Sequence, residues 1–211
     1  MNKQATEKKT SVNSRSRTHR MVITAMLAAL SAALMFIEIP MPFIAPDFYK
    51  LDFSEIPALI GGFALGPLSA AVIELVKILL KFVIKGTITG GVGELANFAV
   101  GCALVMPAAF IYKYRKTRAG ALIGMCAGTL IMTVFGAVIN GYVLLPAYAA
   151  AFHMDISALV DMGRQINSNI DSVFKFCLIA VSPFNLIKGT VVSLITFFIY
   201  KPLSRIIHNN L

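Results

Sequence analysis

The sequence has few charged residues and no tryptophan. Only 14% of its 211 residues are charged, whereas a soluble domain has about 25%. Hydrophobic residues make up 57% of the chain, and the mean hydropathy is +0.77. These proportions exclude a soluble globular domain. Beyond the first twenty residues they also exclude disorder.

Residues that carry enzymatic chemistry are equally sparse. The chain has three histidines and three cysteines, with no H-E-x-x-H or C-x-x-C motif and no G-x-x-x-x-G-K-[ST] nucleotide loop. The cysteines lie in apolar stretches, which indicates buried hydrophobic positions. We therefore expect no enzyme activity, no metal site, no cofactor and no unaided ATP hydrolysis.

Apolar segments account for most of the remaining chain and predict an all-α integral membrane protein with six transmembrane helices. Proline and glycine mark most of their ends. Because Ser182-Pro183 is typical of a helix start, we expect residues Val173–Val181 to form a separate helical segment before the last span. The predicted spans are Met21–Ile39, Phe53–Leu65, Pro67–Ile84, Val92–Tyr112, Ala119–Leu145 and Pro183–Arg205.

The basic residues predict the orientation of these spans. Twelve of the 19 lysines and arginines lie within residues 1–20, 113–118 and 201–205. Nucleic-acid binding could use such runs, but beside long apolar spans the positive-inside rule explains them better. Six spans place all three groups, and so both termini, on the cytoplasmic side of the cell membrane. We divide the chain into a disordered basic tail (1–20), a six-helix membrane domain (21–205) and a C-terminal tail (206–211).

Polar side chains near the outer ends of three predicted spans indicate a ligand pocket, because uncompensated polar groups are costly at membrane depth. A carboxylate, an ammonium group and several amides could converge there on a neutral ligand rich in hydrogen-bonding groups. Aromatic residues of the segment Met41–Asp52 could cover a flat ring. The polar candidates are Glu94 and Asn97, then Asn140 with nearby Tyr142, then Asn185 and Lys188.

Two further patterns each leave two interpretations open. Glu74, Lys77 and Lys81 share one helix face, as an internal ion pair or as ligand contacts. Ala25, Ala29 and Ala33 form a stripe of small residues on the first span. Such a stripe permits close helix contact, either within the bundle or with another subunit.

Three motifs resemble the riboflavin-specific S component of the energy-coupling factor (ECF) vitamin transporters. They are residues 50–57 (KLDFSEIP), 90–98 (GGVGELANF) and 183–189 (PFNLIKG), and the likeness extends over about residues 21–205. The resemblance implies a six-helix subunit that binds riboflavin from outside as its transported ligand. Its partners would be the lipid bilayer, a transmembrane coupling subunit and two ATPase subunits, with no role for nucleic acid.

The resemblance also implies roles for particular residues. Flavin contacts map onto Glu94, Asn140, Asn185 and Lys188, and the first-loop contacts map onto Phe48, Tyr49 and Leu51. The alanine stripe maps onto the surface that meets the coupling subunit. A self-sufficient facilitator or secondary transporter for a vitamin-like molecule is the alternative, although no internal repeat is visible.

Overall fold

The chain folds into a bundle of helices. A computed structural model describes residues 3–46, 48–87 and 89–209, and it describes side chains over 17–46, 48–87 and 89–203. A short antiparallel hairpin pairs β1 (Ile39–Pro40) with β2 (Lys50–Leu51). The helices are α1 (Lys3–Met35), α2 (Glu55–Leu65), α3 (Pro67–Lys85), α4 (Val92–Tyr114), α5 (Arg118–Ile139), α6 (Leu145–Ala151), α7 (Ile156–Ile166), α8 (Val173–Phe176) and α9 (Ser182–Asn209), with π-helical turns π1 (Asn140–Leu144) and π2 (Cys177–Val181).

The first helix differs at both ends from its predicted span. The backbone is helical from Lys3, whereas we expected a disordered tail over residues 1–20. At its other end α1 stops at Met35, four residues before the predicted end, because Ile39 leaves the helix to pair with Leu51 in the hairpin. We call residues 36–54, which connect α1 to α2, loop 1.

Loop 1 is fixed to α3 by Glu38. The Glu38 carboxylate lies 2.8 Å from Lys50 Nζ in the hairpin, 3.2 Å from Lys81 Nζ and 3.0 Å from Lys85 Nζ. Partial burial raises the pKa of Glu38, but hydrogen bonds from the three lysines outweigh burial and lower the pKa from 4.5 to about 2. Lys81 therefore pairs with loop 1 and not with Glu74.

The prediction of a separate segment before the last span is wrong. Helix α8, turn π2 and helix α9 follow one another without interruption from Val173. Ser182 has helical backbone angles and donates its hydroxyl to the carbonyl of Cys177, so it does not cap a new helix. A proline has no N–H and its ring clashes with the carbonyl four residues earlier. The wide turn π2, which ends two residues before Pro183, accommodates both defects.

The same solution occurs in the fifth span. Turn π1 follows α5 and ends two residues before Pro146, and the helix continues as α6 to Ala151, beyond the predicted end at Leu145. Wide turns of this kind are frequent at functional sites. Each one here lies next to a predicted ligand residue, since π1 begins with Asn140 and Asn185 follows π2 by four residues.

Glycines allow the close approach of α4 and α5. A Cβ atom on Gly124 would lie 2.7 Å from the carbonyl oxygen of Ala108, and one on Gly128 would lie 2.3 Å from that of Leu104. Both distances are shorter than a carbon–oxygen contact allows, so larger residues would separate the two helices.

Within the residues that the structure describes, four helical stretches are long and apolar enough to cross a membrane: Arg17–Met35, Val92–Tyr114, Arg118–Ala151 and Val173–Leu203. Helix α2 is shorter, and every residue from Glu55 to Leu65 is buried within the bundle. Helix α3 carries Glu74 and Lys77, both buried. The chain is therefore nearly all helical, and its long apolar helices are those of a membrane protein, as the composition predicts.

Candidate functional site

Two of the predicted ligand residues meet beside a single glycine. The Nδ2 atom of Asn140 donates to the carbonyl of Gly136 at 2.7 Å, one helical turn earlier. On the other side of Gly136, a Cβ atom would lie only 2.4 Å from Nδ2 of Asn185. The absence of a side chain at residue 136 thus lets α9 bring Asn185 against α5.

The two amides differ in their hydrogen bonding. Both polar atoms of Asn140 have a protein partner, because its Oδ1 also accepts a hydrogen bond of 2.5 Å from the hydroxyl of Tyr49. Nδ2 of Asn185 is buried and donates to no protein atom in the described part of the chain. A buried donor without an acceptor is costly, so Asn185 is placed to bind a ligand acceptor.

Loop 1 supplies an aromatic cover over these amides. The ring of Tyr49 lies 5.6 Å from that of Phe184 and 6.3 Å from that of Phe176. Phe48 packs on Tyr49 at 4.8 Å and on Tyr148 at 5.2 Å. Together with buried Leu51 these residues form an apolar cluster at the end of the bundle that carries loop 1, which we call the loop end. Such an arrangement suits a flat aromatic ring.

Lys188 connects α9 to loop 1 and α2. Its Nζ atom lies 3.0 Å from Oδ2 of Asp52 and 3.1 Å from Oε1 of Glu55. Burial raises the pKa of Asp52, but the charges of Lys188 and Lys77 and the hydrogen bonds from Ser54 outweigh it and lower the pKa to about 2. Lys188 is therefore held by two carboxylates, with its position fixed beside the amides.

Sequence reasoning from polar depth overlooked Asp52 and Glu55. Both lie within the first quoted motif, Asp52 in loop 1 and Glu55 at the start of α2. Two acids at the start of an apolar helix could have indicated these residues, because a carboxylate beside a buried helix needs a cationic partner.

Glu94 occupies the first turn of α4, beside the glycine-rich turn. Its Oε2 accepts a 2.8 Å hydrogen bond from the hydroxyl of Thr87, which also accepts from the backbone of Gly91. Gly90 and Gly91 have φ values of 62° and 93°, which favour glycine and bring the backbone close to the carboxylate. Glu94 is half-buried, and its negative charge is close enough to act on the hydroxyl of Tyr148 at the edge of the aromatic cover.

Two other predicted contacts lie outside this cluster. The side chain of Asn97 is exposed, and Tyr142 is 83% exposed on turn π1. The structure therefore brings together Tyr49, Leu51, Asn140 and Asn185, with Phe48, Lys188 and Glu94 at the margins. For Asn97 and Tyr142 a ligand contact stays a prediction, because their side chains lie outside this cluster.

The face of α3 contains an ion pair between helices. Lys77 Nζ lies 2.8 Å from Glu74, 3.3 Å from Glu55 and 2.9 Å from the hydroxyl of Ser54. Because Lys77 has two carboxylates and a hydroxyl within 3.3 Å, the first of the two interpretations of this face fits the geometry.

The alanine stripe of α1 faces outward. Ala25, Ala29 and Ala33 are exposed, whereas Ala28 and Ala32 on the neighbouring face are buried in the core. The stripe is thus available to a helix outside this bundle. Packing within the bundle uses the other two alanines.

A groove of about 490 Å³ lies between α5 and α9, away from these amides. Its lining is mostly apolar, with Leu122, Met125 and Phe197 among its residues, and it contains none of the predicted ligand contacts. Its hydroxyl groups, on Thr129, Thr190 and Ser193, already pair within the bundle, and its lining contains no amide or charged side chain. We therefore place the candidate site at the loop end.

The side chains of the site are suited to binding a ligand. No group of three histidine, cysteine, aspartate or glutamate residues in the described ranges could hold a metal ion. Amides, one ammonium group, a carboxylate and aromatic rings converge from loop 1, α4, α5 and α9. Such a set can bind and orient a polar aromatic molecule.

Comparison with known proteins gives concordant matches. The family described as ECF transporter, substrate-specific component matches residues 19–200. Riboflavin transporter FmnP of Bacillus subtilis is 32% identical over 183 residues, which cover 86% of this chain and 90% of the relative. Riboflavin transporter RibU of Staphylococcus aureus is 32% identical over 186 residues, which cover 88% of this chain and 90% of the relative.

A solved structure shares the fold. It is described as the S component of a bacterial ECF transporter, and it matches with a TM-score of 0.70 at 29% sequence identity. The match covers 90% of this chain and 98% of the solved chain.

Proposed function

The chain belongs to the substrate-specific (S) components of ECF transporters, and from this premise we propose that it is the riboflavin-binding subunit of such an importer. It captures riboflavin at the loop end of the bundle. Import then requires a coupling subunit and ATPases on separate chains. The names of the curated relatives and the three sequence motifs both support riboflavin as the ligand.

The observation that carries this proposal is the unsatisfied amide of Asn185 beneath an aromatic cover. The isoalloxazine ring of riboflavin has both a flat apolar face and carbonyl oxygens at its edge. Phe48 and Tyr49 would cover the face, while Asn185 and Lys188 would donate to the edge. Glu94 accepts hydrogen bonds in the same region, which suits the ribityl hydroxyls.

We also propose six membrane crossings with both termini in the cytoplasm. Contacts at one end of the bundle support this arrangement, since Arg20 at the start of the first span donates to the carbonyl of Leu65 at the end of α2. At the same end, Phe63 packs on Tyr112 of α4 at 4.7 Å and on Tyr200 of α9 at 5.4 Å. The three basic segments therefore share one end, which we call the basic end, and the positive-inside rule makes it cytoplasmic.

The exposed alanine stripe is the proposed contact with the coupling subunit. Small residues along one face allow the backbones of two helices to approach closely in a membrane. Ala25, Ala29 and Ala33 offer that face without contributing to the core of the S component.

A fluorescence titration tests the ligand. Purified protein in detergent is titrated with riboflavin, thiamine and biotin, and we expect saturable quenching of flavin fluorescence at one riboflavin per chain. Thiamine and biotin should not compete. Competition by thiamine at equal concentration would contradict the assignment.

The alternative of a self-sufficient facilitator is tested in liposomes. The lone chain should bind riboflavin without carrying it across the bilayer, because the sequence contains no nucleotide loop and its proposed energy source is on other chains. Uptake by the lone chain would favour the facilitator.

A further inference from the structure

Five ionisable side chains meet in the interior of the bundle. Asp52 of loop 1, Glu55 of α2, Glu74 and Lys77 of α3, and Lys188 of α9 form one connected set, which we call the buried charge cluster. Glu74 is fully buried, Lys77 is 1% exposed and Glu55 is 5% exposed. The side chains of Asp52 and Lys188 at its margin are 10% and 12% exposed.

The charges of this cluster do not balance. Three carboxylates face two ammonium groups, so full ionisation would leave one net negative charge inside the bundle. Burying an uncompensated charge is far more costly than burying a neutral polar group. One further positive charge is needed, and it must lie close to one of the three acids.

The contacts identify the acid with the weakest compensation. Oε1 of Glu55 lies near both lysines, at 3.3 Å and 3.1 Å. Asp52 has Lys188 and also accepts from the backbone N–H of Ser54. Glu74 has Lys77, 2.8 Å from its Oε2, and within the described residues neither of its oxygens has another polar partner.

The remaining surroundings of Glu74 add no positive charge. A Cβ atom on Gly101 of α4 would lie 2.3 Å from Oε2 of Glu74, so the carboxyl group packs directly on that helix. The titratable group that α4 presents to it is the thiol of Cys102. Helix α1 has no ionisable residue between Met21 and Met35.

We propose that the buried charge cluster binds one proton and that Glu74 holds it. A neutral carboxylic acid at residue 74 leaves two carboxylates, on Asp52 and Glu55, for the two lysines. The proton comes from water at neutral pH, and no other reactant is required. A metal ion fits less well, since no described group of three ligating side chains could hold one.

Infrared spectroscopy of the purified full chain tests this proposal. A protonated carboxylic acid has a carbonyl band that is separate from the carboxylate bands. At pH 7 the wild-type protein should show this band, and Glu74→Gln should remove it. The matched control Glu38→Gln changes an ion-paired acid outside the cluster and should retain the band.

Changes elsewhere in the cluster give a second and sharper readout. In Glu55→Gln only two acids remain for two lysines, so Glu74 should release its proton and the band should disappear. In Lys77→Met three acids face one lysine, so a second acid should become protonated and the band should about double. A passive ion pair at Glu74 would change in neither way.

The wild-type spectrum alone can overturn the proposal, whether or not the variants fold. Absence of the band at pH 7 would contradict it, as would a band that survives in Glu74→Gln. A band that is lost on adding sodium chloride to a sodium-free sample would assign the site to a metal cation instead.

Discussion

Gly136 is the residue at which the proposed ligand site can be tested most directly. Substitution by alanine would place a Cβ atom 2.4 Å from Nδ2 of Asn185. Carbon and nitrogen atoms need about 3.5 Å, so the amide would have to move by about 1 Å. The rest of the structure should tolerate the change, because alanine stabilises a helix by about 1 kcal/mol relative to glycine.

The expected result is weaker riboflavin binding by a correctly folded protein. Displacing Asn185 removes about one neutral hydrogen bond, worth about 1–2 kcal/mol, which corresponds to a roughly 5- to 30-fold higher Kd. The assay is fluorescence titration, with the melting temperature measured on the same sample. We expect the melting temperature of Gly136→Ala to equal or exceed that of the parent.

A double-mutant cycle separates this mechanism from a general disturbance. Asn185→Ala should weaken binding by the same amount, and it also removes the atom with which the new methyl group clashes. The double variant should therefore bind no worse than Asn185→Ala alone. Additive losses, or parental affinity of Gly136→Ala, would refute the assignment of Asn185 to the ligand.

Three other changes test other parts of the molecule. Lys188→Ala should raise the Kd for riboflavin by at least about thirtyfold, or about 2 kcal/mol. Unfolding by denaturant should also show lower stability, because Asp52 loses its ion-pair partner and Glu55 loses one of two, and the added change Asp52→Asn should restore part of that stability. Ala29→Trp should abolish co-purification with a coupling subunit and ATP-dependent uptake while riboflavin affinity stays within about threefold; the control Val134→Trp adds the same bulk to an exposed position on α5 and should assemble normally. Glu38 has a lowered pKa, so its ion pairs stabilise the fold above about pH 4.5 and are lost as the pH falls through 2. Glu38→Gln should cost about 1 kcal/mol at pH 7 and only a small fraction of that at pH 2, and an equal melting-temperature difference at both values would contradict the role of these pairs.

The sequence predicted those parts of the molecule that depend on local patterns. The lengths of the apolar segments, with the prolines and glycines between them, predicted the helices. The similar depth of Asn140 and Asn185 in the membrane predicted that these two amides lie close together. The ends of α3 and α4 differ from the predicted ends by one and two residues.

The parts that could not be predicted depend on distant or irregular structure. Lys188 pairs with Asp52 across 136 residues, and no local periodicity indicates such a partner. The position of Tyr49 follows from an irregular loop that closes over α5 and α9. Ser182-Pro183 was misleading because a π-helical turn allows a proline to continue a helix that it would otherwise end.

The two π-helical turns make the site sensitive to changes in chain length. Each turn contains one residue more than an α-helical turn of the same rise. Deleting Val143 from π1 would therefore restore α-helical geometry and leave the helix beyond it in nearly the same register. Tyr148 would keep its place beside Phe48, and the change would be confined to the turn that begins with Asn140. Such a deletion would show whether the wide turn itself is needed to hold the Asn140 amide against Tyr49.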